Sequence, residues 1–182
     1  MSLKLPAAYA WLAREPAPRM LLEGIKTFGT LEGPGAEDNP VIMGWAAEVG
    51  VPAIEDAFTA DAVPWCGLWM AVVAKRAGKP VNANALWARS WLRWGDKAPA
   101  DPQLGDVLIF RRGKTSGHVG LYVGEDADAF HVLGGNQGDA VSIVRIDRDR
   151  LLGARRIYTI AAPANVRRVM LKPAGGLSGN EA

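Results

Sequence analysis

The sequence predicts an α+β domain, with N-terminal helices packed on a C-terminal antiparallel sheet of about five strands. Three observations carry this. Apolar residues recur at three- and four-residue spacing before Pro102 and alternate with polar ones after it. The strand-like stretches are joined by short turns, which favours antiparallel pairing. Helices precede strands instead of alternating with them, the order of α+β and not βαβ proteins. At 182 residues and 49% hydrophobic content, the chain suits one compact domain that needs no staple.

The elements follow in order. A short helix is expected over residues 7–13, then an apolar stretch over 20–28. Gly29, Gly33, Pro34 and Gly35 impose a loop. Asn39 and Pro40 make a good helix start, a cap followed by a proline at the first helical position. Val41, Trp45, Ala46 and Val49 recur at helical spacing, Gly50 ends the run, and Val51-Pro52 is expected to prevent a restart. Pro64 opens the clearest helix, with Trp65, Leu68, Trp69, Val72 and Val73 in one stripe. Lys75 and Arg76 lie in its last turn, where they complement the helix dipole. A fourth helix is expected from Asn82 or Asn84 to Gly95. Strands are expected over 106–111, 118–123, 130–133, 141–146 and 155–160. The acidic turn at Glu125, Asp126 and Asp128 reads as solvated, since its spacing does not match a calcium loop. The domain is placed at residues 1–162, with its core at about 20–160. The Pro- and Gly-bearing stretch 163–182 is expected to be a flexible tail.

Composition narrows the function. With 21 basic and 19 acidic residues, the chain lacks the concentrated basic face of a nucleic-acid binder. Its single cysteine excludes an internal disulfide and a cysteine-rich zinc module. No apolar run reaches the ~20 residues that cross a bilayer. The first 14 residues lack the ~7–15-residue apolar core of a secretory signal. Half of the aromatic residues are tryptophan, 7 beside 3 Tyr and 4 Phe. Apart from Trp65, their helical spacings suggest packing.

Three residues can carry chemistry together. Cys66 is the second residue of the helix that Pro64 opens, where free backbone N–H groups and the dipole stabilise a thiolate. Alone, a cysteine is as readily a small buried hydrophobe. His118 begins a strand on the same face as Gly120, which leaves room for a general base to reach substrate. His131 sits within an apolar strand and reads as structural. Asn136, in Gly134-Gly135-Asn136-Gln137-Gly138, is expected to return level with His118 and orient its ring. The alternative is a plain turn, since Asn tolerates the left-handed region. A Cys at a helix start, a His at a later strand start and a polar residue one strand on is the papain layout.

Three blocks carry a family resemblance. Asp61-Ala62-Val63-Pro64-Trp65-Cys66-Gly67 resembles the nucleophile motif of bacterial and phage cell-wall cysteine hydrolases of the NlpC and CHAP type. Gly105-Asp106 with Gly117-His118-Val119-Gly120 resembles their strand and histidine motif. Val132-Leu133-Gly134-Gly135-Asn136-Gln137 resembles their Gly-Gly-Asn-Gln turn. The resemblance spans roughly residues 20–160 and implies a papain-like fold. It implies hydrolysis of a peptidoglycan amide, with Cys66 as nucleophile, His118 as base and Asn136 as orienter. Trp65, Glu32, Asn39 and Gln137 are the expected substrate-binding residues. No cofactor or metal is implied.

The expected partner is peptidoglycan, through its muramoyl amide or its stem peptide, with no nucleic acid and no integral membrane segment. The setting expected is a phage-type lysis enzyme made in the bacterial cytoplasm and acting on the wall after release. The alternatives are a delivered antibacterial toxin with the same chemistry, or a non-catalytic wall-binding or assembly protein.

Overall fold

A computed structural model describes residues 5–181. The chain is α+β, with helices on one face of a six-stranded antiparallel sheet. A 3-10 helix (Ala7–Arg14) leads into α1 (Arg19–Ile25), α2 (Pro40–Val49), α3 (Pro52–Ala57) and α4 (Cys66–Arg76). A second 3-10 helix (Ala88–Arg93) precedes β1 (Asp96–Lys97), β2 (Val107–Arg112), β3 (Ser116–Glu125), β4 (Ala129–Gly134), β5 (Ser142–Asp147) and β6 (Leu151–Arg156). The strand order is β1-β6-β2-β3-β4-β5. The sixth strand beyond the expected five is the two-residue β1, too short to leave a periodic signal, and the strand expected over 155–160 lies earlier, as β6.

Local chemistry explains the elements. Asn39 caps α2 as expected, its side chain accepting from the Val41 N–H at 2.8 Å. Gly50 ends α2 in the left-handed conformation at φ 68°. Val51-Pro52 does not prevent a restart: α3 begins at Pro52 itself, because proline suits the first helical position. The helix expected from Asn82 to Gly95 is a turn followed by the 3-10 segment 88–93. Ser90 and Asn82 spend their side chains on each other at 2.7 Å, and the Ser90 hydroxyl then binds the Asn84 carbonyl. Such local bonds compete with helix formation.

α4 is the central post. Its residues from Cys66 to Ala74 are all buried, between α1 and α2 and against β3. Gly67 allows this fit: a Cβ there would lie 1.8 Å from the Ala85 carbonyl oxygen. Trp45, Trp65, Trp69 and Trp91 are fully buried, as packing residues should be. Trp87 departs from the expected packing role, with 51% of its surface exposed on the turn before Ala88. Two apolar layers fill the sheet's faces. Val107, Ile109, Val119, Leu121 and Leu133 meet the helices, while Leu108, Phe110, Tyr122, Phe130 and Val132 form a second cluster.

Two further expectations change. The acidic turn is solvated at Asp128 but not at its other two acids. Glu125 and Asp126 are buried and paired with Arg148 and Arg145, with Arg168 also on Glu125. The stretch from 163 onward, expected to be a free tail, lies against the sheet. Glu125 N–H donates to the Val169 carbonyl at 2.9 Å, and Leu171 N–H to that of Glu125 at 2.8 Å. Leu177 bridges in parallel to Arg145 on β5. Composition signals the irregular backbone but not the arginines that anchor it. Among the described residues, no helix is long and apolar enough to cross a membrane.

Candidate functional site

The site forms where the start of α4 meets β3 and the turn after β4. Cys66 is the first residue of α4, one position earlier in the helix than expected. Its side chain is 3% exposed. The backbone N–H groups of Val119, Gly67 and Cys66 itself lie near its sulfur. Val119 follows His118, so the thiol lies against β3 at the histidine. Burial pushes the Cys66 thiol up, and the three N–H groups oppose that shift only in part.

His118 is 0% exposed, on β3 opposite Phe110 of β2. Its Nε2 meets Oε1 of Gln137 at 3.0 Å. The Gln137 amide nitrogen donates to two carbonyls, Val132 at 3.1 Å and Ser142 at 2.6 Å. Those acceptors fix which end of the amide faces the imidazole. An oxygen there requires the proton on Nε2, which leaves the lone pair on Nδ1. Nδ1 is buried and has no hydrogen-bond partner among the described residues. Burial lowers the His118 pKa to about 4, so the ring is neutral at pH 7. The resting pair is therefore thiol and imidazole, not thiolate and imidazolium.

Asn136 is not where it was expected. Its side-chain oxygen accepts from the Trp65 N–H at 3.2 Å, and its amide nitrogen donates to Glu32 at 2.7 Å. It supports the entry to α4 and does not touch the imidazole. The one-residue difference follows from the turn: Asn136 adopts φ 58°, which swings the next side chain, Gln137, under β3. The expectation of a left-handed Asn holds together with a bridging role.

The other expected site residues divide. Trp65 is wholly buried, stacked at a tilt on Trp45 with centroids 5.7 Å apart, so its ring does not form an exposed cleft wall. Its indole N–H donates to Glu32 at 2.6 Å. Glu32, partly exposed beside the helix start, is the acceptor for both Trp65 and Asn136. Burial raises its pKa despite the Trp65 bond. Asn39 spends its side chain on the α2 cap and on the Leu31 carbonyl. Gln137 is buried, with its amide held by His118 and by the Val132 and Ser142 carbonyls. His131 is structural, bound to Tyr9 at Nδ1 (2.7 Å) and to Asp126 at Nε2 (2.7 Å).

Glycines leave the room the site needs. A Cβ on Gly134 would sit 2.7 Å from Gln137 Oε1 and 3.2 Å from His118 Nε2. A Cβ on Gly135 would strike Trp65 and Trp69, each at 2.7 Å. No family model matches the chain, and neither a curated protein nor a solved structure matches it.

Proposed function

We propose that the chain is a cysteine-dependent amidohydrolase of papain-like layout that cleaves an amide bond in peptidoglycan. One observation supports the chemistry above all. Gln137 ties up Nε2 of His118 and leaves Nδ1 unpartnered, on the strand whose next N–H lies near the Cys66 sulfur. A base that takes a thiol proton needs a free ring nitrogen, and Nδ1 is such a nitrogen. The substrate class rests on the three motif blocks around Cys66, His118 and Asn136-Gln137.

The reaction begins with transfer of the Cys66 proton to Nδ1 of His118. The thiolate attacks the amide carbonyl, and backbone N–H groups at the start of α4 stabilise the oxyanion. Gln137 accepts from Nε2–H throughout and stabilises the imidazolium. His118 then protonates the leaving amine, and the bond to nitrogen breaks. Water, deprotonated by His118, attacks the thioester and releases the acid. The bond cleaved is the muramoyl–alanine amide or a stem-peptide amide, and the wall is reached after release from the cell that makes the enzyme.

Digestion of purified peptidoglycan with fragment masses recorded tests the reading. The native chain should release fragments with new amine and carboxyl ends. Cys66→Ala and His118→Ala should release none while keeping the native fold. Unimpaired digestion by Cys66→Ala would remove the thiol mechanism. Wall binding without digestion by the native chain would favour the non-catalytic alternative.

A further inference from the structure

Residues 177–181 return to the site from behind. Leu177 bridges to Arg145 at the outer edge of the sheet, and Ser178 N–H donates to the Arg145 carbonyl at 2.8 Å. The Asn180 carbonyl accepts from Gly138 N–H at 3.0 Å. Gly138 directly follows Gln137, so this bond reaches the turn that holds the imidazole. Glu181 then enters the interior, 1% exposed.

The Glu181 carboxylate is clamped by Arg150 at 2.6 and 3.0 Å, and its carbonyl faces Arg112 Nη1 at 3.5 Å. Arg112 pairs across the sheet with Ser116, two residues before His118. The imidazole thus has Gln137 on Nε2 and Arg112, Arg150 and Glu181 as its charged neighbours. A buried guanidinium without a counter-charge disfavours an imidazolium nearby. Arg150 and Arg112 both act on His118 in that direction, and Glu181 acts against them.

We propose that Glu181 is a positioning residue of the site, whose carboxylate cancels the cationic side chains beside His118 so that the imidazole can take the thiol proton. The strap from Leu177 to Glu181 is then a working part of the catalytic unit. This rests on the reading of His118 as the base. It assigns a role to a residue far outside the three motif blocks.

Glu181→Gln removes the charge and keeps the shape. Two readouts separate the proposal from the proposed function. The first is NMR titration of the His118 ring, simple in a chain with two histidines and independent of any substrate. Its midpoint should move to lower pH in Glu181→Gln and return in Glu181→Asp. The second is hydrolysis of a soluble muropeptide, where kcat should fall about tenfold with KM unchanged. Removing the partner as well, in Arg150→Gln/Glu181→Gln, should bring the midpoint and the rate part of the way back, since Arg112 stays. It also covers the case in which Glu181→Gln alone fails to fold. An unmoved midpoint in folded Glu181→Gln, or a double variant displaced as far as Glu181→Gln, overturns the proposal. If the native chain leaves the muropeptide intact, the proposed function fails, and the titration still decides the role of Glu181.

Discussion

His118 and Gln137 are joined by one hydrogen bond of 3.0 Å whose polarity is dictated from outside the pair. The carbonyls of Val132 and Ser142 hold the Gln137 amide nitrogen, so only its oxygen can face the ring. The tautomer of His118 is thereby set by main-chain atoms of β4 and β5.

Gln137→Ala should lower kcat about a hundredfold with little change in KM, because the tautomer and its orientation are lost together. Asn136→Ala should act differently. It leaves the Trp65 N–H unpaired at the entry to α4 and should cost about 1–3 kcal/mol of stability. Thermal melts beside steady-state kinetics on both variants check the division. A larger kcat loss in Asn136→Ala than in Gln137→Ala would reverse the assignment.

Gly134→Ala tests the same bond by steric means. The new methyl would meet Gln137 Oε1 at 2.7 Å, the flexible end of a side chain. Gln137 should swing away, with catalysis reduced and stability nearly retained. Gly67→Ala, whose methyl would meet the Ala85 main chain at 1.8 Å, should instead unfold or severely destabilise the domain. Chemical denaturation of the two variants distinguishes them.

Acid should weaken the fold in two stages. His118 titrates near 6.5 when unfolded and near 4 when folded, so the unfolded chain binds the extra proton. Stability contributed by the neutral ring is intact above pH 6.5 and is lost as pH falls towards 4, at up to about 1.4 kcal/mol per pH unit. Burial lowers His131 in the same direction. Asp126, held well below the usual carboxylate range chiefly by Arg145, adds a second loss below its ordinary pKa of 3.8. Urea midpoints measured from pH 7 to 3 should show this, and His118→Gln should flatten the first stage. A native curve flat between pH 6.5 and 4 would contradict it.

His131→Ala should leave hydrolysis largely intact while destabilising the fold by about 2–4 kcal/mol, since it leaves buried Asp126 and Tyr9 short of a partner. Wall-clearing rates together with melting curves check this. Abolished hydrolysis in a folded His131→Ala would transfer the base role from His118.

Much of this was legible in the sequence. The period change near Pro102 anticipated the passage from helices to strands, and Asn39-Pro40 located the start of α2. Cys66 was recognisable from its place at a helix start beside Trp65, and His118 from its place between Gly117 and Val119-Gly120. The choice between Asn136 and Gln137 was not legible, because it turns on one left-handed residue that decides which side chain points under β3. Glu181 was invisible for a different reason. A lone acid in a Gly- and Pro-bearing stretch acquires meaning only from Arg150, 31 residues away. Trp87 misled for lack of a signal that Asn82, Asn84 and Ser90 would bond locally and dissolve the expected helix.

The enclosure of α4 has a consequence for how the chain can diversify. A post buried from Cys66 to Ala74 leaves almost no sequence freedom, since any added volume must displace a neighbour. The surroundings of the α4 start are contributed by separate segments, among them the 29–39 loop with Glu32 and the turn before Trp87. Selection for a new cross-link chemistry would therefore act on those loops while the reactive centre stays fixed. A library randomised in the two loops should yield altered bond preference far more often than one of equal size randomised along α4.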